Sequence, residues 1–251
     1  MEKEKTLKLL EQGLERAYQI ISQVSEAFQE TWELNPGTGI RALLGSWNIR
    51  AVRHLLAIIT LADERDLALV ANVHYRQMFE IMLQIRYFLS ASIDEQEALA
   101  EKISAWGCLD WLEKMKSLKD HDLINRGYQQ MMEQLETYNP KLVVQIREER
   151  SKNWNWFGMS FSKLAHQVSK DGEDLKSAYH IISADLHGSW EVTLNVANPQ
   201  PGVLDFRGYP DKATLYYWAA EVVDRASQLY LQTWNEVARS VGAPQVQMQD
   251  L

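Results

Sequence analysis

The chain has 251 residues, 46% of them hydrophobic, and its formal net charge is -8. This length and composition are typical of one globular domain with a core of ordinary size. Because unspecific affinity for nucleic acid comes mostly from Lys and Arg, the acidic balance disfavours a large phosphate-binding surface. The lone cysteine, Cys108, excludes an intrachain disulfide and does not indicate a Cys-based zinc site. A reducing, cytoplasmic compartment is expected.

The amino terminus and the longest apolar run both argue against a membrane. The first residues, MEKEKTLKLLEQ, mix charges of both signs and lack the apolar core of a secretory signal. The run ALLGSWNIRAVRHLLAIITLA is interrupted by Arg50, Arg53 and His54, so it predicts a packed helix rather than a membrane span. We expect neither a signal peptide nor a membrane anchor.

The spacing of apolar residues predicts long helices in the first part of the chain. Residues 3–34 place apolar side chains at intervals of three and four, and NPGTG at 35–39 ends this helix. A second helix is predicted over about 40–63 and a third over about 66–91. The third is apolar nearly all round, which predicts a central position in the fold.

Shorter helices and one irregular loop are predicted in the rest of the chain. SIDE at 92–95 is a capping box that opens a fourth helix ending near Leu118. Pro and Gly concentrate at 195–211, which predicts one long loop with a small hairpin at GVLDFRG. The remaining predicted elements are a helix over about 121–138, the short segment KLVVQIREERSK, a helix capped by Ser160 or Ser162 that ends at Val168, the helix that holds YHIISADLHGSW, and a last helix over about 211–241.

Together these elements predict an all-α fold. We expect a single-domain multi-helix bundle of about seven to nine helices over residues 1–241. The segment 242–251, which ends in VQMQDL, is predicted to be a flexible C-terminal tail.

The most unusual stretch is YHIISADLHGSW, which begins at Tyr179. At about 100° per residue, Tyr179, Ser183, His187 and Trp190 share one helix face with aliphatic side chains. Polar groups buried there need partners, because an unpaired one costs about 1–3 kcal/mol. Two interpretations are open: a satisfied structural core, and a half-buried site in which His187 acts as acid or base while Gly188 leaves room for a ligand.

A second polar group lies on the apolar third helix. Arg76 and Glu80 are four residues apart, and Gln84 and Tyr87 continue the same side. Inside a bundle such an ion pair must be fully hydrogen-bonded, because an unpaired buried charge is very costly. A structural network and a ligand or catalytic site are both open, and the catalytic candidates are His187, Arg76 and Glu80.

Other kinds of site have little support. The six histidines show neither HExxH nor Glu-x-x-His, so no metal site is predicted. No glycine-rich phosphate loop is present, so no cofactor is predicted, and the nucleophile elbow GxSxG of hydrolases is missing as well. Most tryptophans are expected to fill gaps between helices, because basic residues are not interleaved with them. The loop NWNWF is the exception, and its Trp154 and Trp156 are candidates to line a ligand pocket or a subunit interface.

Three segments occur in a recognisable order: RQMFEIMLQIRYF, WNWFGMSFSKLAHQV and YHIISADLHGS. In this order they resemble a bacterial all-helical family catalogued as a domain of unknown function, over roughly residues 50–195. The resemblance implies no reaction. It implies that six residues correspond to motif positions of that family: Arg76, Glu80, Tyr179, Ser183, His187 and Gly188.

Two functional hypotheses follow. The first is a ligand-binding or sensing module of a bacterial stress or defence system that acts through a protein partner or as a homodimer. The second is a metal-independent ribonuclease similar to the higher-eukaryote-and-prokaryote nucleotide-binding (HEPN) class, with His187 as general base and an arginine stabilising the phosphate. SADLHG has the histidine without the arginine, Arg50 and His54 fit the spacing poorly, and the acidic balance disfavours nucleic acid. The first hypothesis is therefore preferred.

Overall fold

The computed structural model describes eight helices and one short hairpin. The helices are α1 (Glu2–Glu33), α2 (Ile40–Asp63), α3 (Ala68–Leu89), α4 (Ile93–Met115), α5 (Pro140–Arg150), α6 (Phe161–Val168), α7 (Leu175–Leu186) and α8 (Lys212–Val241). The antiparallel strands β1 (Asn198–Gln200) and β2 (Val203–Asp205) form the hairpin. The residues that the structure describes are 2–33, 39–63, 68–115, 139–186, 198–200, 203–205 and 212–247, with isolated helical positions between 126 and 137.

This architecture confirms the predicted all-α fold. The helix count among the described residues falls within the predicted seven to nine, and the second helix has the predicted bounds. The two strands pair within the predicted irregular loop, but the hairpin pairs 198–200 with 203–205, whereas the prediction placed it at GVLDFRG, which begins at Gly202. The strand that pairs with Val203–Asp205 thus precedes it in the chain instead of following it. Most of the predicted fifth helix, 121–138, lies outside the described residues.

The third helix ends at Leu89, two residues earlier than predicted, because the next helix is capped at once. The backbone N–H of Ser92 donates to Glu95 Oε2 at 2.8 Å, as the capping box predicts. The Ser92 hydroxyl also donates to this oxygen, at 2.7 Å, instead of accepting from the Glu95 backbone. The cap therefore holds, with one of its two hydrogen bonds replaced.

The described helices fall into two compact units. The first unit comprises Met1–Leu89 and Phe161–Leu251. In it α1 packs against α8, while α3 contacts α2, α6, α7 and α8 and so takes the central position that its all-round apolar pattern predicts. The core of this unit includes Leu44, Leu55, Ile58, Met78, Ile81, Leu83, Phe88, Tyr230 and Trp234.

The second unit is Ser90–Ser160 and contains α4, α5 and the loop NWNWF at 153–157, named here the aromatic loop. Helix α5 starts where the sequence provides a cap: Asn139 Oδ1 accepts from the Leu142 backbone at 3.2 Å, and Pro140 occupies the first turn. After the helix the chain turns at Gly158, whose φ of 68° favours glycine. That residues 1–241 form a single domain stays a prediction.

The segment after α8 lies against that helix. Val246 is buried, and its backbone N–H and carbonyl both bond to the Asn235 side chain, at 2.9 and 2.8 Å. The part of the predicted flexible tail that the structure describes is therefore held in place, and residues 248–251 lie outside the described residues. Among the described helices, none is both long enough and apolar enough to cross a membrane.

Candidate ligand-binding site

Three of the predicted site residues meet where α7 packs on α3. The Arg76 guanidinium donates from Nε to Glu80 Oε1 at 2.9 Å and from Nη2 to the Tyr179 hydroxyl at 3.1 Å. The Tyr179 hydroxyl in turn donates to the same Glu80 oxygen at 3.3 Å. The three side chains thus form a closed set of hydrogen bonds, named here the Arg76–Glu80–Tyr179 triad.

Local helix geometry places Tyr179 in this position. On α7 the side chains of Tyr179 and Ile182 are buried, whereas Ile181 is 64% exposed, as the helical periodicity predicts. The Tyr179 ring lies between two other aromatic rings, with centroids 6.5 Å from Phe79 on α3 and 6.0 Å from Phe161 on α6. These apolar contacts fix the ring and bring its hydroxyl to Glu80.

The carboxylate of Glu80 is buried but well supplied with donors. Its Oε1 accepts from both Arg76 and Tyr179, and its Oε2 lies 3.5 Å from Gln77 Nε2. One turn further on, Gln84 donates to the Glu80 backbone carbonyl at 3.1 Å. The polar stripe on α3 is thus a paired network, which is what a buried carboxylate requires.

Neither Arg76 nor Tyr179 changes protonation near neutral pH. Desolvation would lower the pKa of Arg76, but the hydrogen bond to Glu80 and the interactions with Tyr179 outweigh it and raise that pKa. Burial, helped by the Glu80 charge, raises the pKa of Tyr179 against the opposing effect of Arg76. Arg76 is therefore a fixed cation and Tyr179 a fixed donor, and such groups suit binding better than proton transfer.

Arg76 is the member of the triad that reaches solvent. Its side chain is 21% exposed, against 11% for Glu80, and its guanidinium lies 5.6 Å from the Tyr179 ring centroid. Among the described residues its hydrogen bonds leave from Nε and Nη2, so both N–H groups of Nη1 and the second N–H of Nη2 can donate to a carboxylate or phosphate.

The other predicted site residues are placed differently. Ser183, one turn after Tyr179, is half-buried, while His187, Gly188 and Trp190 lie outside the described residues. Two further candidates belong to the second unit, and they differ from each other. Trp154 is 71% exposed and lines a cavity, whereas Trp156 is buried edge-on against the neighbouring Phe157 ring.

A buried ionic network that the sequence does not single out surrounds Arg86. This guanidinium, only 3% exposed, donates to Glu236 Oε1 at 3.0 Å and to Glu173 Oε2 at 2.6 Å. Lys170 adds a second cation, with Nζ 2.9 Å from Glu236 Oε1. The cluster joins α3, the segment before α7, and α8 with two positive and two negative groups, and we assign it a structural role.

Two histidine contacts also arise only in the fold. His54 on α2 and His74 on α3 approach to 3.1 Å between their Nδ1 atoms, so one ring donates and the other must accept as a neutral imidazole.

On the surface, Ser162 Oγ lies 3.0 Å from His180 Nε2. In serine nucleophile sites a third group, often a carboxylate, bonds to the other nitrogen of the histidine and orients it. Among the described residues no carboxylate makes this contact with His180, so the pair lacks that third group in this part of the chain.

Comparison with known proteins identifies a family but no characterised relative. No curated protein and no solved structure matches the chain significantly. The model of a family described as "Family of unknown function (DUF5677)" matches residues 41–201, more than half of the chain. This range includes the whole Arg76–Glu80–Tyr179 triad. The chain therefore belongs to the family of unknown function DUF5677.

Proposed function

We propose that this protein is a ligand-binding module and that Arg76 binds a small anionic ligand. The observation that supports the proposal is the orientation of the guanidinium, which Glu80 and Tyr179 hold from two sides while the side chain still reaches solvent. An arginine held in this way loses little conformational freedom when it binds, and its planar geometry suits carboxylates and phosphates.

The biological setting that we propose is sensing in the bacterial cytoplasm. Acidic composition and a single cysteine are consistent with this compartment. In a stress or defence system, ligand binding at Arg76 would be passed to a protein partner or to a second copy of the chain. A homodimer would need a surface other than the apolar faces of α1 and α8, since these helices pack on each other.

Thermal unfolding with two simple anions tests the binding proposal. Inorganic phosphate and succinate are titrated against the wild type, Arg76→Gln and the control Arg225→Gln, which loses a surface arginine from another i,i+4 ion pair. Binding at about 100 times the Kd stabilises the folded state by about 2.7 kcal/mol. Each shift in Tm is measured from that variant's own Tm without anion, so that a loss of basal stability does not count as a loss of binding.

The expected result is a rise in Tm with at least one anion for the wild type and for Arg225→Gln, and none for Arg76→Gln. Equal rises in all three proteins would place the anion elsewhere. No rise in any protein would leave the triad with a structural role only.

A ribonuclease remains the second candidate because Arg76 contacts α7. This helix leads directly to His187, the proposed general base, and the ribonuclease needs an arginine near that histidine. Tyr179 is seven residues before Leu186, about 10.5 Å along the helix axis, so Arg76 would have to reach towards the C-terminal end of α7 to share a phosphate with the histidine.

Cleavage of single-stranded RNA in the presence of EDTA tests this second function. Activity in the wild type and in Arg225→Gln that is lost in both His187→Ala and Arg76→Gln would support it. Intact RNA with the wild type would contradict it. The thermal stability of His187→Ala adds an independent readout. A large fall in Tm, corresponding to a loss of several kcal/mol in the free energy of unfolding, would indicate a core histidine.

A further inference from the structure

A cavity of about 430 Å³ lies in the second unit, between α4, α5 and the aromatic loop. Its volume is in the usual range for small-molecule sites, roughly 300–1,000 Å³. The walls combine two arginines, one carboxylate and two tryptophans: Arg147, Arg150, Asp110, Trp106 and Trp154. Arginine and tryptophan are residue types that carry much of the binding energy at protein interfaces.

Arg150 is held in position by its own surroundings. Its guanidinium carbon lies 5.3 Å from the centroid of the Trp106 ring, and its Nη1 donates to the Trp106 carbonyl at 3.3 Å. Asp110 completes the support at 3.5 Å from Nη2, a long contact for an ion pair. The side chain is only 13% exposed. The Trp106 carbonyl, the Trp106 ring and Asp110 therefore orient the Arg150 cation in the cavity wall.

Arg147, one turn earlier on α5, supplies an exposed second cation. Its side chain is 58% exposed and pairs with Glu136 on the surface. Such exposed pairs contribute little, so a ligand could take the place of Glu136 at low cost. The charged residues of the cavity wall, Arg147, Arg150 and Asp110, sum to +1 in a chain whose net charge is -8. The cavity is thus locally suited to an anion.

Trp154 supplies the apolar side of the cavity. It is 71% exposed, although tryptophan is usually well buried, and it adjoins the polar side chain of Asn153. An indole at the edge of a cavity offers a flat surface on which an aromatic ring can stack. The stacking surface and the two cations belong to the same cavity, so one small molecule could contact both.

We infer that this cavity binds a planar aromatic anion, with the ring stacked on Trp154 and the anionic group at Arg147 and Arg150. Nucleoside monophosphates and aromatic carboxylates share this chemistry. The site is independent of the Arg76–Glu80–Tyr179 triad, because all of its residues belong to the second unit. Whether this cavity binds a ligand therefore does not decide whether Arg76 binds an anion, which is tested separately.

Isothermal titration calorimetry on the full chain tests the inference with four probes. AMP and 2-naphthoate carry both the ring and the anion, adenosine carries the ring alone, and inorganic phosphate the anion alone. The informative variants are Trp154→Ala and Arg147→Gln, which change exposed side chains. Their matched controls in the first unit are Tyr18→Ala, an aromatic residue 55% exposed, and Arg225→Gln, an ion-paired arginine 61% exposed.

The expected result is binding of AMP, of 2-naphthoate or of both, which identifies a nucleotide or an aromatic carboxylate as the ligand class. Each informative variant should weaken that binding by about tenfold or more, as expected for the loss of a stacking or charged contact, with no change in the controls. Three outcomes would overturn the inference: neither aromatic anion binds, either informative variant binds as the wild type does, or adenosine or phosphate alone binds as tightly as the aromatic anion that binds.

Discussion

The Tyr179 hydroxyl lies 3.1 Å from Nη2 of Arg76, although 103 positions separate the two residues in the chain. Through this contact the polar stripe of α3 meets the first polar residue of the stripe on α7. The hydroxyl lies between a cation and a carboxylate, so it accepts from one and donates to the other. This double contact joins Tyr179 to the polar stripe of α3, and Tyr179 is the member of the α7 stripe that does so among the described residues.

Tyr179→Phe should therefore lower the free energy of unfolding by about 1–3 kcal/mol, because the buried Glu80 and the partly buried Arg76 each lose a partner. Urea denaturation followed by circular dichroism measures the change. Tyr217→Phe is the control: its hydroxyl bonds to Glu221 on the surface, and its removal should cost within about 0.5 kcal/mol. Equal stability of Tyr179→Phe and the wild type would mean that the triad contributes nothing to the fold.

The network around Arg86 should be more sensitive. Arg86→Met leaves the carboxylate of Glu236, which is 6% exposed, without its main partner, and breaking a buried pair in this way costs about 3–5 kcal/mol. Arg225→Met removes a surface arginine from its ion pair with Glu221 and should cost less than about 1 kcal/mol. Denaturation midpoints in urea compare the two. A similar, small loss in both variants would show that solvent reaches Glu236.

The contact between His54 and His74 predicts that stability falls in mild acid. Desolvation, the neighbouring His74 and Arg50 lower the pKa of His54 below its ordinary value of 6.5. The unfolded chain therefore binds a proton near pH 6.5, whereas the folded chain binds it only at lower pH. Between these two values the unfolded state holds more protons, so the contribution of His54 is complete above about pH 6.5 and is lost as the pH falls through the folded pKa.

Melting temperatures at pH 7.5 and pH 5.5 measure this effect. The wild type should lose more stability between the two than His54→Gln does, because the variant has no group at this position that takes up a proton. His166→Gln, which changes an exposed histidine on α6, should retain the wild-type dependence. If His54→Gln shows the same dependence as the wild type, another group is responsible.

Gly45 on α2 lies so close to Trp32 that a side chain at this position should destabilise the fold. A Cβ atom there would lie 2.6 Å from Nε1 of Trp32, whose N–H donates to the Arg41 carbonyl at 3.2 Å. The indole cannot easily move away, because it stacks on Phe28 at 4.6 Å and packs against Trp234 at 6.1 Å. Gly45→Ala should therefore destabilise the protein by about 1–3 kcal/mol.

Gly107 on α4 provides the matched control for this substitution. A Cβ atom at Gly107 would meet nothing within 4 Å, so Gly107→Ala should stabilise the protein by up to about 1 kcal/mol through helix propensity alone. Chemical denaturation of the two variants should give changes of opposite sign. A gain in stability for Gly45→Ala would contradict the tight contact with Trp32.

The helices and the local pairs could be predicted because they depend on neighbours in the chain. Apolar spacing gave the bounds of α2 and predicted the buried face of α7, on which Tyr179 is covered and Ile181 is not. The contact between Arg76 and Glu80 follows from their i,i+4 spacing on one helix. Such relationships need only helical geometry, which repeats every few residues.

The partners of these side chains were decided by tertiary packing. Arg86 appears in the sequence as one charged residue in an apolar helix, and its pairing with Glu236, 150 positions away, depends on how α3 lies against α8. In the same way, only the packing of α7 on α3 brings Tyr179 to Arg76. The sequence by itself determined which elements form and which faces are buried. Only the tertiary structure decided which buried polar groups meet, because a periodic pattern defines a face but not the residue that packs against it.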